Sequence, residues 1–203
     1  GLFKVLSEES VASGVRRIEA VAGPAALGFV EGELEELGAV RAALGQTQTG
    51  PAEAVTRLLD ERDRLEEEIE EMKRSRLQDR LGAIAGDAED VAGVRLAVGR
   101  FPEAEMDALR EMAQELGQRL GDGAVAVLGA PAPGGEKVYV ACCVADDVVE
   151  RGLEAGDLIG ELGEKLGGGG GGRPGLASAG GRAPGKLGDV LADVPRLARE
   201  RLS

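Results

Sequence analysis

The stretch Leu166-Gly-Gly-Gly-Gly-Gly-Gly-Arg-Pro-Gly-Leu-Ala-Ser-Ala-Gly-Gly-Arg-Ala-Pro-Gly185 decides how this chain is read. A glycine run between independent units is a slack tether. Here only about thirty residues follow it, and they carry an apolar stripe, Leu187, Val190, Leu191, Val194 and Leu197, that needs a partner. If that last helix docks on the domain before the run, both ends of the glycine segment are held. Bare main chain then becomes a surface. Gly168, Gly169, Gly170, Gly171 and Gly172 bring N–H groups close to any polyanion or flat sugar–base surface. Arg173 adds a fixed charge for a phosphate oxygen, and Pro174 stiffens the exit. Gly180, Gly181, Arg182 and Lys186 repeat the theme a few residues on. From composition alone, a glycine connection and a ligand-contacting loop remain equally open readings. No Gly-Lys-Ser/Thr closes the run and no strand is read leading into it, so it is neither a Walker loop nor a dinucleotide fingerprint.

Working outward, residues 83–203 read as strand, helix, strand, strand, interrupted helix, glycine loop and final helix. The strands are VAGVRLAVGRF, GAVAVLGAP and KVYVACCVAD, and the first helix is PEAEMDALREMAQELGQRLG. A helical break is expected near Gly152–Gly156 and a bend or restart at Pro195. This is a compact α/β unit of ordinary domain size. Upstream, Leu27, Val30, Leu34, Leu37 and Val40 recur at helical spacing. A longer helix starts at Pro51 and runs to about Leu81, with Val55, Arg62, Ile69 and Arg76 at one seam position and Leu58, Leu65 and Met72 at the other. Two arginines in the seam disfavour a long zipper, and an antiparallel helical hairpin over 24–82 is expected, one stripe covering the other. Its Glu-rich run is a solvated face. Residues 1–23 alternate as two short strands, too few to make a stable sheet alone. They read as the edge of a domain whose remainder precedes Gly1. The fold class is α/β (α+β): a β remnant, a long helical hairpin and an α/β domain with a glycine-rich loop between its last helices.

Composition narrows the function. The 203 residues carry 24 basic and 37 acidic side chains, net −13, which counts against a generic nucleic-acid binder. Charge is unevenly placed: 31–79 is strongly acidic, whereas 166–203 is mildly positive. The chain has no histidine, which removes His-based acid/base catalysis, Ser-His triads and most zinc sites. Cys142 and Cys143 are neighbours, fitted to be reduced thiols rather than a disulfide. No apolar run is long enough to cross a bilayer. A cytoplasmic location and no membrane partner are expected.

Two motifs carry a resemblance. Ser7-Glu-Glu-Ser-Val-Ala-Ser-Gly-Val-Arg-Arg-Ile-Glu-Ala-Val-Ala-Gly23 resembles the end of the editing domain of alanyl-tRNA synthetases. Ala155 to Gly181 resembles the signature of the DHH-associated domain that closes those enzymes. Their order is also that of the family, and the likeness covers essentially the whole chain. It implies a non-catalytic C-terminal portion that grips the outer corner of tRNA, links the aminoacylation and editing sites, and supports a homodimer in some members. It implies tRNA rather than DNA as partner, with no catalytic or metal-binding residues in this chain, and with zinc and ATP held by upstream parts. Carried over by position, Gly168–Gly172, Arg173, Pro174, Gly180 and Gly181 match the signature. Ser178 departs from the glutamine often found between the two alanines, so a side-chain amide contact is not expected there. Arg16 and Arg17 match the editing motif and are read as structural ion pairs. Three alternatives stand beside this reading: a free-standing editing hydrolase sharing both motifs, a purely dimerising helical module, and a DHH-type phosphodiesterase. The last needs an Asp-His-His metal cluster.

Overall fold

The computed structural model describes residues 1–12, 14–45 and 49–202. They form two units, Gly1–Glu71 and Met72–Ser203, divided inside one long helix. Part of the turn that the stretch GQTQTGPAEA marks between the two helical patterns, residues 46–48, lies outside the described residues.

In the first unit, β1 (Phe3–Ala12) and β2 (Val15–Ala22) pair antiparallel as an isolated two-stranded ladder. Phe3, Val5, Val15 and Ile18 alternate as the sequence suggests, yet all are exposed. Arg16 Nε bonds Glu8 Oε1 at 3.1 Å, a diagonal cross-strand pair open to solvent. Such a pair contributes little stability. α1 (Pro24–Leu44) and α2 (Pro51–Gly86) follow, each with a proline in its first turn, where the missing N–H costs nothing. The mutual covering of their stripes is not observed. Leu34, Val40, Leu58, Leu65 and Ile69 remain exposed. Weak amphipathicity accounts for it: arginines interrupt the α2 seam, and exposed Arg–acid pairs such as Arg64–Glu61 line this helix instead.

The second unit holds the core. Its six-stranded sheet runs β3 (Glu89–Val91), β4 (Val94–Arg100), β5 (Ala124–Pro131), β6 (Val138–Val144), β8 (Leu176–Gly181), β7 (Gly169–Arg173). Only β4 and β5 are parallel. The crossover between them is α3 (Met106–Leu120), since parallel neighbours need a long connection. Strands buried on both faces read as near-continuous apolar runs, and VAVLGA and VYVACC do so. On one face, Val125, Val127, Val138, Val140 and Cys142 meet α5 (Ala155–Lys165), α6 (Leu187–Ala192) and α7 (Val194–Leu202). On the other, Ala124, Ala126, Leu128 and Ala141 meet Leu109, Ala113 and Leu116 of α3, with Leu81 from the end of α2. α2 thus runs beyond the helix end expected near Leu81. Arg80 caps this side, its guanidinium 5.1 Å from the Phe101 ring centroid. The expected break is present: a short α4 (Asp146–Glu150) stops at Gly152, which has φ 99°, before α5 begins. So is the restart at Pro195, the second residue of α7. Among the described residues no helix is long and apolar enough to cross a membrane.

The glycine-rich segment is where the expectation fails. It is not a loop between the last helices but a strand: Gly169–Arg173 is β7, paired antiparallel with β8 through the two-residue turn Pro174–Gly175.

Candidate nucleic-acid interface

Main-chain bonds at both ends fix the β7–β8 hairpin. The Gly168 N–H donates to the Gly163 carbonyl at 3.0 Å, where α5 ends, and the Ala155 N–H at the start of α5 donates to the Pro174 carbonyl at 2.7 Å. The Arg182 and Ala183 N–H groups both donate to the Leu166 carbonyl. Side-chain ion pairs secure the helices behind. Lys165 bonds Asp193 and lies 3.1 Å from Glu161, which also accepts from Arg201 at 2.8 Å. Arg196 and then Lys165 hold the Asp193 carboxyl well below the usual carboxylate range. Arg201 first, then Lys165, lowers that of Glu161. The Asp193 partner raises the Lys165 ammonium. The hairpin is braced, not slack.

Register sorts the hairpin residues by face. Directly paired residues share a face, so Gly169–Gly180, Gly171–Ser178 and Arg173–Leu176 lie on one side. The β6 partners on that side are Tyr139, Ala141 and Cys143. It is the α3 side of the sheet. Ala177 and Ala179 face the other way, into the core beneath α5.

The glycines do two jobs in alternation. A Cβ at Gly170 would stand 2.3 Å from both the Ser178 oxygen and the Ala179 Cβ, and one at Gly172 would stand 2.3 Å from the Leu176 oxygen. Strand β7 therefore approaches β8 more closely than any side chain permits. A Cβ at Gly169 or Gly171 would meet nothing within 4 Å. Those two positions need no glycine for packing. On the α3 side they leave a floor of main chain, with every residue of β7 exposed. As the outermost strand, β7 also leaves main-chain donors and acceptors without a strand partner along its outer edge.

Around this floor stand Arg173 at one end and, beside Gly180, the Tyr139 ring and Met106, 3.5 and 3.8 Å from where a Gly180 Cβ would be. Arg110 of α3 reaches the floor from the same side, its Nε donating to Ser178 Oγ at 2.7 Å. The structure thus brings together Gly169, Gly171, Arg173 and Gly180 on the α3 face. Gly168, Gly170, Gly172 and Pro174 serve as framework for them. Gly181 is buried against Leu166. Arg182 is exposed just beyond β8, and Lys186 lies on the opposite side, in the 3₁₀ turn Pro184–Lys186 that leads into α6. Lys186 shares a surface depression there with Lys165, Asp189 and Asp193. Sequence reading missed Arg110 and Tyr139. The signal for Arg110 was Ser178, a hydroxyl on a strand of small apolar residues that must be satisfied once buried.

Fold and surface together define an α/β domain whose distinctive face is main chain at a sheet edge, rimmed by arginines. The chain belongs to the DHHA1 domain family, whose model matches residues 93–200. Over its whole length it is 53% identical to the alanine–tRNA ligase of Salinibacter ruber, covering 21% of that protein. It is 41% identical to the ligase of Geobacillus kaustophilus over 96% of the chain and 22% of the relative. The chain thus spans about a fifth of the length of the curated relatives it matches, which are aminoacyl-tRNA synthetases. Among solved structures, the C-Ala domain from Aquifex aeolicus alanyl-tRNA synthetase superposes with a TM-score of 0.51 at 31% identity, over 56% of this chain and 98% of that one.

Proposed function

We propose that this chain is the tRNA-holding portion of an alanine–tRNA ligase and that the α3 face of the β7–β8 hairpin is where it meets RNA. The observation that supports this reading is the open, Cβ-free floor at Gly169 and Gly171 with Arg173 on the same face. RNA is recognised through phosphates, sugars and unstacked bases, all of which need close approach to a flat surface. Glycine where packing does not require it supplies that approach, and an exposed guanidinium supplies the charge. The contribution is positional: a bound tRNA is held at high effective concentration for reacting centres in the rest of the enzyme. In this reading the bound part of the tRNA is its outer corner, and the module links aminoacylation with editing. In this reading zinc and ATP are held by the rest of the enzyme.

The test is tRNA affinity as a function of salt for wild type and Arg173→Gln. Wild-type affinity should fall steeply with salt. The variant should bind more weakly at low salt with a shallower slope, by about 0.7–0.9 for a single phosphate that is no longer neutralised. Identical curves overturn the assignment.

A second reading, self-association through the helical arm, is favoured by the exposed apolar residues Leu58, Leu65 and Ile69 of α2. It predicts a dimer in sedimentation that Leu65→Glu dissociates without changing tRNA affinity per chain.

A further inference from the structure

The tRNA reading assigns Arg173 by its place on the hairpin. A second cation stands on the same face and comes from a different element. Ser178 is the only polar side chain buried among the described residues, at 5% exposure. A serine in a small-residue strand has no packing advantage over the alanines on either side, and its hydroxyl needs a partner. That partner is Arg110, sixty-eight residues away in sequence, whose Nε donates at 2.7 Å. Nη1 of Arg110 bonds Asp107 Oδ1 at 3.1 Å, one turn back on α3, where Asp107 is almost fully exposed. Among the described residues nothing engages Nη2, and the Arg110 side chain is 45% exposed. The hydroxyl therefore holds a half-exposed guanidinium at the rim of the glycine floor with donors to spare.

The placement relative to Arg173 is close. Ser178 pairs with Gly171, two residues before Arg173. With about 3.3 Å per residue along a strand and about 4.8 Å between strands, the anchor of Arg110 lies roughly 8 Å from the Arg173 backbone. Two long side chains at that separation reach neighbouring phosphates of one RNA strand laid across the floor.

Resting on the tRNA reading above, we infer that Arg110 is a second RNA-backbone contact of this face and that Ser178 is its positioning residue. A guanidinium already held by one hydrogen bond loses less side-chain freedom when it grips a phosphate. The competing role is a clamp between α3 and β8 with no part in binding.

The experiment compares wild type, Arg110→Gln, Arg110→Lys, Ser178→Ala and Arg173→Gln by tRNA affinity across a salt series, with a melting curve for each. Arg110→Gln should weaken binding about tenfold and make the log–log salt slope shallower by about 0.7–0.9. Ser178→Ala keeps the charge, so its slope should match wild type while affinity falls a few-fold. Arg110→Lys should likewise keep the slope and lose affinity. If Arg173→Gln weakens binding while Arg110→Gln leaves affinity and slope unchanged, Arg110 is only a clamp and this inference is wrong. If neither substitution has an effect, the tRNA reading of the face fails as a whole. If Arg110→Gln does not fold, Ser178→Ala and Arg110→Lys decide: wild-type affinity in both refutes the inference, and the stated losses support it.

Discussion

Adjacent glycines in β7 should respond oppositely to the same one-carbon change. Gly170→Ala drives a methyl to 2.3 Å from the Ser178 oxygen and the Ala179 Cβ. Ordinary contacts there are longer by more than 1 Å, so either β7 separates from β8 or the backbone distorts. Overpacking of this sort costs about 1–3 kcal/mol. In a unit spanning Met72–Ser203, that lowers Tm by roughly 3–12 °C. Gly171→Ala adds a methyl that meets nothing within 4 Å. Its folded state is undisturbed, and reduced freedom of the unfolded chain contributes about 0.4–1 kcal/mol of stability, so Tm should hold or rise slightly. RNA binding should show the reverse sensitivity. A methyl on the floor holds a base or ribose away from the main chain, and one lost main-chain hydrogen bond costs about 0.5–1.5 kcal/mol, or roughly 2- to 13-fold in affinity. Thermal melts by circular dichroism and tRNA binding by fluorescence anisotropy measure the two effects separately. Gly171→Ala that melts normally and binds tRNA like wild type would refute the idea that RNA rests on this face. Gly170→Ala that melts normally would refute the strand packing itself.

Leu81→Ala, at a position with no exposure between the end of α2 and the sheet, should destabilise the second unit by about 2–5 kcal/mol, read as a lower urea midpoint. Asp193→Asn should lower Tm at neutral pH. The Asp193 pKa is depressed by Arg196 and Lys165, so its contribution is present above the ordinary carboxylate range and is lost as pH falls toward the depressed folded value. The Tm gap between wild type and Asp193→Asn should therefore narrow on acidification, and a gap that widens would contradict the assignment. Burial pushes the Cys142 thiol far up, and Cys143 rises less under burial and the nearby Asp146. Iodoacetamide at neutral pH, followed by mass spectrometry, should label Cys142 only after unfolding.

What could be read in advance follows from where side chains carry a pattern. Helices α3, α5 and α7 place leucines at regular spacing, and β5 and β6 are unbroken apolar runs, so the α/β domain, the break at Gly152 and the restart at Pro195 were legible. The covering of α1 by α2 was not: both have leucines at helical spacing, but arginines divide the α2 stripe and Leu58 and Leu65 stay in solvent. Strand β7 was invisible for a deeper reason. Hydropathic periodicity needs side chains to alternate, and Gly169 to Gly172 have none. Only pairing with Leu176–Gly181, itself small and apolar, defines it as a strand. That pairing also divides a uniform run into positions where a methyl collides and positions where it is free, a distinction no local pattern can hold. The same register puts Ser178 on the α3 side, where Arg110 meets it. The surface proposed for RNA is thus built by strand pairing and by one long-range hydrogen bond. It consists of main chain and of a side chain sixty-eight positions from the serine that holds it, a pairing that no local pattern connects.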